Sequence, residues 1–288
     1  MALGTLQYPD SNISGTSSFP FARYTSVVGV HTTLLAFASL FLPRSALIRE
    51  LPAVPTQLTS LDHPQHPFLD ALTRNPLVTM LCMCAGTTVL QAWWGGWLRA
   101  WWIELVALSG SVEDADKLRR RTALHSKKVP DLVQGWLFTF AASLFFHFVL
   151  TLFGAPISSH LGHTYLLALE LAALTVFPAA YTLGAPSLGD ENAALIVRMT
   201  WVRLFAEFSL RNSVERALVF PAIGALIGAW LGVFPIALDW DRPWQAWPLT
   251  PAFAAIFGYI IGSICALTVS GIVNLAEEHR RSVKPKAE

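Results

Sequence analysis

The chain has 288 residues, of which 53% are apolar and 14% charged, against about 25% charged in an ordinary water-soluble domain. Water is thereby excluded as its main solvent, and because the apolar residues come in long uncharged blocks instead of at amphipathic spacing, the class is membrane. The net charge of +1 gives no reason to expect a nucleic-acid partner.

The first twenty residues, MALGTLQYPDSNISGTSSFP, carry neither a basic start nor an apolar core. No cleavable signal is expected, so the first span acts as the insertion signal. A run of about 20 apolar residues crosses the hydrocarbon core. Six such runs are predicted, at about 24–42, 76–98, 132–153, 161–183, 217–238 and 250–274. The third and fourth come from one uncharged stretch, Leu132 to Leu169, which GAPISSHLGH divides as a tight hairpin.

The Pro-rich connection from Pro43 to Asn75 has no periodicity and reads as an irregular lumenal loop. After the fourth span, Arg203, Glu207 and Arg211 fall at four-residue steps among bulky apolar residues. This suits an interfacial helix or a cytosolic extension of span five. Asn212 and Glu215, three apart, suit a capping box that starts span five.

The expected fold is an all-α, polytopic bundle of about six transmembrane helices. A tail (1–23) precedes a single membrane domain (24–276), and a basic tail (277–288) follows. Sixteen Lys and Arg fall on the side of the termini and four on the other. Basic loops stay cytosolic, so both termini are expected in the cytosol. The last five residues, KPKAE, are similar to a dilysine signal that returns membrane proteins to the endoplasmic reticulum, and it works only on a cytosolic tail. Asn12-Ile13-Ser14 is a glycosylation sequon on that side; glycan there would invert the orientation.

Cys82, Cys84 and Cys265 all lie in predicted spans and read as packing residues, not as a disulfide framework. No further ligand accompanies the CxC pair at metal spacing, and no metal or cofactor is expected. Glu170 sits mid-span, where a carboxylate costs about 2.5 to 3.5 kcal/mol. A pair with His147 across the hairpin is geometrically open. It would serve as a proton relay or acid/base set, or as one neutralised structural hydrogen bond.

Helices in lipid associate largely by close packing of small residues. Gly224, Gly228 and Gly232 repeat every four residues in span five, as do Ala254, Gly258, Gly262, Ala266 and Ser270 in span six. Each helix thus carries one smooth stripe, for contact with the other span or with another protein.

LDWDRPWQAWP, from Leu238 to Pro248, joins these spans. Trp240, Trp244 and Trp247 suit the interfacial belt, and Asp239, Asp241 and Arg242 can pair locally or present charge to a partner. Two carboxylates alone make a poor divalent site. No nucleophile set, phosphate loop or zinc motif appears in a water-accessible segment.

The stretch GAWLGVFPIALDWDRPWQAWPLTPAFAAIFGYIIG, Gly228 to Gly262, with NSVERAL (Asn212 to Leu218) upstream, resembles the C-terminal signature of the PIG-F family of glycosylphosphatidylinositol (GPI) anchor biosynthesis, in its fungal type. Elsewhere the resemblance is architectural only. It implies a non-catalytic, stabilising subunit in the endoplasmic-reticulum membrane. The partner it implies is a large enzyme that adds ethanolamine phosphate to mannoses of the GPI precursor. It also gives Asp239, Trp240, Asp241, Arg242, Trp244, Gln245 and Trp247 a role toward the partner or the glycolipid headgroup. Ala237 stands where a second proline is expected, so a slightly less kinked span end is expected. A small lipid-modifying membrane enzyme using Glu170, His147 or the Asp239/Asp241 pair is the alternative. A transporter or scramblase is the third, without the internal repeat that would mark it.

Overall fold

A computed structural model describes residues 20–45, 66–108, 122 and 127–283. Asn12, Lys284, Lys286 and most of the basic segment between Arg99 and Lys128 lie outside the described residues. The described elements are all helical: α1 (Phe21–Phe41), α2 (Pro67–Thr73), α3 (Pro76–Leu108), α4 (Lys128–Leu152), α5 (Leu161–Thr175), α6 (Phe177–Leu183), α7 (Asn192–Phe205), α8 (Ser213–Leu231) and α9 (Leu249–Val283). Among the described residues, six stretches are long and apolar enough to cross a membrane: α1, α3, α4, the α5–α6 pair, α8 and α9.

The α5–α6 span is the most enclosed of the six and sits at the centre of the bundle, packed against α3, α4, α8 and α9. Its break at Val176 follows from Pro178. A proline lacks the N–H for an intrahelical bond and crowds the carbonyl four residues earlier. The span ends at Gly184, whose φ of +95° favours a residue without a Cβ. In contrast, α4 buries only Gly135, Thr139 and Ser143, a four-residue stripe against α5 and α6, and turns its apolar side chains outward.

Several helix boundaries depart from the expected ones. α3 runs through Arg99 to Leu108 instead of stopping near 98, because the guanidinium is satisfied in place. It pairs with the Asp131 carboxylate, donates to the Tyr181 carbonyl at 3.0 Å and lies 5.3 Å over the Tyr181 ring. α8 begins at Ser213, not 217, and takes Arg216 inside, where Ser270 accepts from it at 2.9 Å and Ser213 at 3.0 Å. It ends at Leu231, and a 3₁₀ turn, Phe234–Ala237, replaces the expected last turn of the span. α9 continues past 274 to Val283, with Glu277 and Glu278 exposed. The connection before span two also contains order: α2 is started by His66, whose Nδ1 accepts from Phe68 N at 3.1 Å, followed by Pro67 at the first helical position.

The segment after Gly184 forms its own helix and is not an extension of span five. Residues 206–212 break it from α8, with Phe208 at φ +52°. Only Arg203 of the expected Arg203–Glu207–Arg211 series is helical, and it turns back to Glu215, 2.7 Å away. The capping box forms by half. Asn212 Oδ1 accepts from Glu215 N at 2.9 Å, whereas the Glu215 carboxylate takes Arg211 N–H at 2.6 Å, one residue before the cap.

Candidate functional site

Among the described helices α8 and α9 form the tightest pair, and their glycines set the distance. A Cβ on Gly224 would stand 2.2 Å from the Gly258 carbonyl oxygen, one on Gly228 2.1 Å from that of Ala254, and one on Gly232 2.6 Å from that of Thr250. From the other side, Gly258 faces the Gly224 oxygen at 2.0 Å and Gly262 the Phe220 oxygen at 2.4 Å. The two stripes therefore meet each other, backbone on backbone, as small-residue packing in lipid requires. Ala266 continues the buried line, and Ser270 ends it by receiving Arg216. An apolar groove of about 530 Å³ runs beside the seam, bordered by Phe220, Ile227, Leu231, Phe257 and Ile261 with Cys265 at one end.

The pair is closed by the loop from Leu238 to Pro248, which is folded and not slack. Gln245 is its internal tie. Its carbonyl oxygen accepts from Arg242 N at 2.8 Å, and its amide nitrogen donates to the Pro235 and Leu238 carbonyls, each at 2.6 Å. Trp247 ties the loop to the central span, its indole N–H donating to Thr164 Oγ1 at 3.0 Å. α2 packs beside the 3₁₀ turn at Pro243–Gln245. What this frame presents is an exposed tip: Asp239, Trp240 and Asp241 are exposed, Asp241 at φ +48°, while Arg242 and Trp244 are half-buried. The Trp240 and Trp244 rings meet edge to face, 5.8 Å apart.

Glu170 and His147 are not brought together. Glu170 is fully buried, and its Oε1 accepts from Thr87 of α3 at 2.6 Å, with the Cys84 thiol beside it. His147 lies on α4 against the Tyr165 ring, 6.1 Å between centroids. The His147–Glu170 pair that the hairpin left geometrically open does not form, because α5 turns Glu170 toward Thr87 of α3, and Glu170 instead makes a structural hydrogen bond of the kind the other reading describes. Cys82 and Cys84 are buried and Cys265 exposed, all three as free thiols. Among the described residues no three His, Cys, Asp or Glu side chains converge as a metal site.

Sequence reasoning passed over Thr164, the role of Gln245 as a tie, and the Arg99–Asp131–Tyr181 junction. A carboxamide set among tryptophans was the one signal available for Gln245. The other two depend on partners more than thirty residues away.

A profile of the GPI biosynthesis protein family Pig-F matches residues 53–267, about three quarters of the chain. The chain belongs to the Pig-F family. The matched region holds α2 to α8, the whole loop and most of α9. Over 226 residues the chain is 31% identical to glycosylphosphatidylinositol anchor biosynthesis protein 11 of Neurospora crassa, covering 75% of this chain and 73% of the relative. It is 33% identical over 145 residues to the human GPI ethanolamine phosphate transferase, stabilizing subunit, covering 50% of this chain and 61% of that one. The Pig-F relative of Pyricularia oryzae, also named anchor biosynthesis protein 11, is 43% identical over 127 residues, 44% of this chain and 42% of its own length. The match thus spans less than two thirds of the human relative. No solved structure matches.

Proposed function

We propose that this Pig-F protein is a non-catalytic subunit of a GPI ethanolamine-phosphate transferase complex in the endoplasmic-reticulum membrane. In this reading it packs against the membrane region of a large catalytic subunit and helps present the glycolipid. The observation that carries it is the preformed loop. Within the region matched to the family, Gln245 and Trp247 hold Asp239, Trp240 and Asp241 outward at the end of a glycine-sealed helix pair. A rigid, exposed tip is suited to contact, since little conformational entropy is lost on docking. Names carried by relatives, a stabilizing subunit and an anchor biosynthesis protein, support the same role. Glu170 and His147 have separate partners, which leaves the lipid-modifying-enzyme reading without its acid/base pair.

Both termini face the cytosol in this reading, and the loop faces the lumen with the transferase's catalytic domain and the lipid headgroup. α7 is 14 residues long, about 21 Å, too short to cross. It lies along the cytosolic leaflet with exposed Leu195, Met199 and Val202 toward lipid.

Affinity purification of the tagged chain from its own membranes, followed by mass spectrometry, tests the proposal. A large transferase subunit is expected at near-equal amount, and no ethanolamine-phosphate transfer by the chain alone. Transfer by the isolated chain would overturn it. In the assembled complex, Asp239→Ala, Trp240→Ala and Asp241→Ala are expected to lower turnover only as far as they lower the amount of complex.

A further inference from the structure

A band of polar side chains runs through the centre of the bundle, apart from the loop and the glycine seam. Glu170 comes from α5, Thr87 and Gln91 from α3, Tyr259 from α9 and His31 from α1, and none is more than 1% exposed. Thr87 and Gln91 are four residues apart and so stand one above the other on a single face of α3. Thr87 donates to Glu170 Oε1 at 2.6 Å, and the Tyr259 hydroxyl donates to Gln91 Oε1 at 3.4 Å. The His31 ring lies flat on Trp94, 4.8 Å between centroids at 7°, with its neighbour Tyr259 edge-on at 5.8 Å.

These contacts leave part of the hydrogen-bonding capacity unused. Glu170 Oε2, Gln91 Nε2 and both ring nitrogens of His31 have no N–H or O–H partner within the protein. A buried polar atom in an apolar medium loses its hydration without return, and lipid around the bundle offers no substitute. A helix interface needing only apolar fit would carry Leu or Phe at 31, 91 and 170. The pattern of unmet groups also identifies the occupant. Gln91 Nε2 only donates, an imidazole offers one donor and one acceptor, and a carboxyl oxygen accepts or, protonated, donates. A cation requires several oxygens and an anion several donors; this mixed, largely neutral set suits a small molecule that both donates and accepts.

We infer that the seam between α1, α3, α5 and α9 holds a short file of internal water molecules, bonded to Glu170, Gln91 and His31. Such waters take two to four bonds each and belong to the structure as side chains do. They fix α1 on the bundle, since His31 stands midway along its buried face between Val28 and Leu35. The inference is independent of the proposed role in a complex, because it concerns only this chain's core.

X-ray radiolytic footprinting of the full chain, in whatever complex it purifies with and in ¹⁸O-labelled water, is the test. Hydroxyl radicals formed from internal water oxidise the residues beside it even where bulk solvent does not reach. Tyr259 and His31 are expected to oxidise at least several-fold faster than Phe177, equally buried at 0% but in an apolar setting, after correction for intrinsic reactivity. The label is expected to enter slowly. Rates equal to that of Phe177 would show a dry seam and overturn the inference. The double variant Gln91→Leu with His31→Phe is expected to abolish the excess at Tyr259; if a folded double variant kept it, the water would not be bonded where stated.

Discussion

At Gly228 a single methyl group decides whether α8 and α9 can touch. Its Cβ would lie 2.1 Å from the Ala254 oxygen and 3.2 Å from the Gly258 Cα, and both obstacles are backbone, which cannot rotate away. Gly228→Ala is therefore expected to part the helices and cost about 3 kcal/mol, the upper range of overpacking. Gly29→Ala has nothing within 4 Å of the new carbon and is expected to change stability by less than about 1 kcal/mol, with helix propensity in its favour. Thermal unfolding of both variants in one detergent checks this, and equal melting would remove close backbone contact as the bond between the spans. Gln245 offers a second residue-level test. Gln245→Glu keeps the acceptor for Arg242 N but turns its two donors into an oxygen facing the Pro235 and Leu238 carbonyls. Gln245→Ala loses three bonds of about 1 kcal/mol each, whereas the charged variant adds repulsion. Faster amide exchange across 236–246 is expected for both, with glutamate the worse.

The elements divide into what the sequence could and could not disclose. All six spans were legible because each is an apolar run of about bilayer length, interrupted by a charge only at Glu170 in the fourth, and the α8–α9 contact showed as two four-residue stripes. The boundaries at Arg99 and Arg216 were not, because a charge marks a span end only if nothing inside the bundle receives it. Asp131 and the Tyr181 carbonyl, which receive Arg99, lie 32 and 82 residues away. The facing of Glu170 was hidden for the same reason: its helix was visible, but its rotation toward Thr87, 83 residues distant, was set by packing. The Arg99 junction, which joins α3, α4 and α6, gives an element-level prediction. Arg99 is 10% exposed and Asp131 31%, so the arginine depends more on its partner than the reverse. Asp131→Ala is expected to cost about 2 kcal/mol, in the range for a lost hydrogen bond to a charged group, since Arg99 keeps the Tyr181 carbonyl. Arg99→Met is expected to cost less, since Asp131 can turn to water. A double-mutant cycle read by thermal unfolding should show the pair strongly coupled.

For the whole molecule, the two ends of the bundle differ in kind. At one end ion pairs stitch the helices together, Arg99 to Asp131 and Arg203 to Glu215, with α9 extending beyond. α9 has 35 residues, about 52 Å against a hydrocarbon core of about 30 Å, so its Glu277–Arg281 turns stand clear of the lipid. At the other end lies the tryptophan-rich loop, held by hydrogen bonds, with its acidic tip exposed. Which end faces the lumen determines whether that tip can meet a lumenal enzyme at all. With Cys82, Cys84 and Cys265 replaced, single cysteines at Asp241 and Glu278 report the orientation in sealed microsomes. The Glu278→Cys variant is expected to react with a membrane-impermeant maleimide at once, and Asp241→Cys only after the vesicles are opened. The reverse pattern would place the loop in the cytosol. Contact with a lumenal catalytic domain through Asp239 and Trp240 would then be impossible, although the helix pair, the polar seam and membership of the family would all stand.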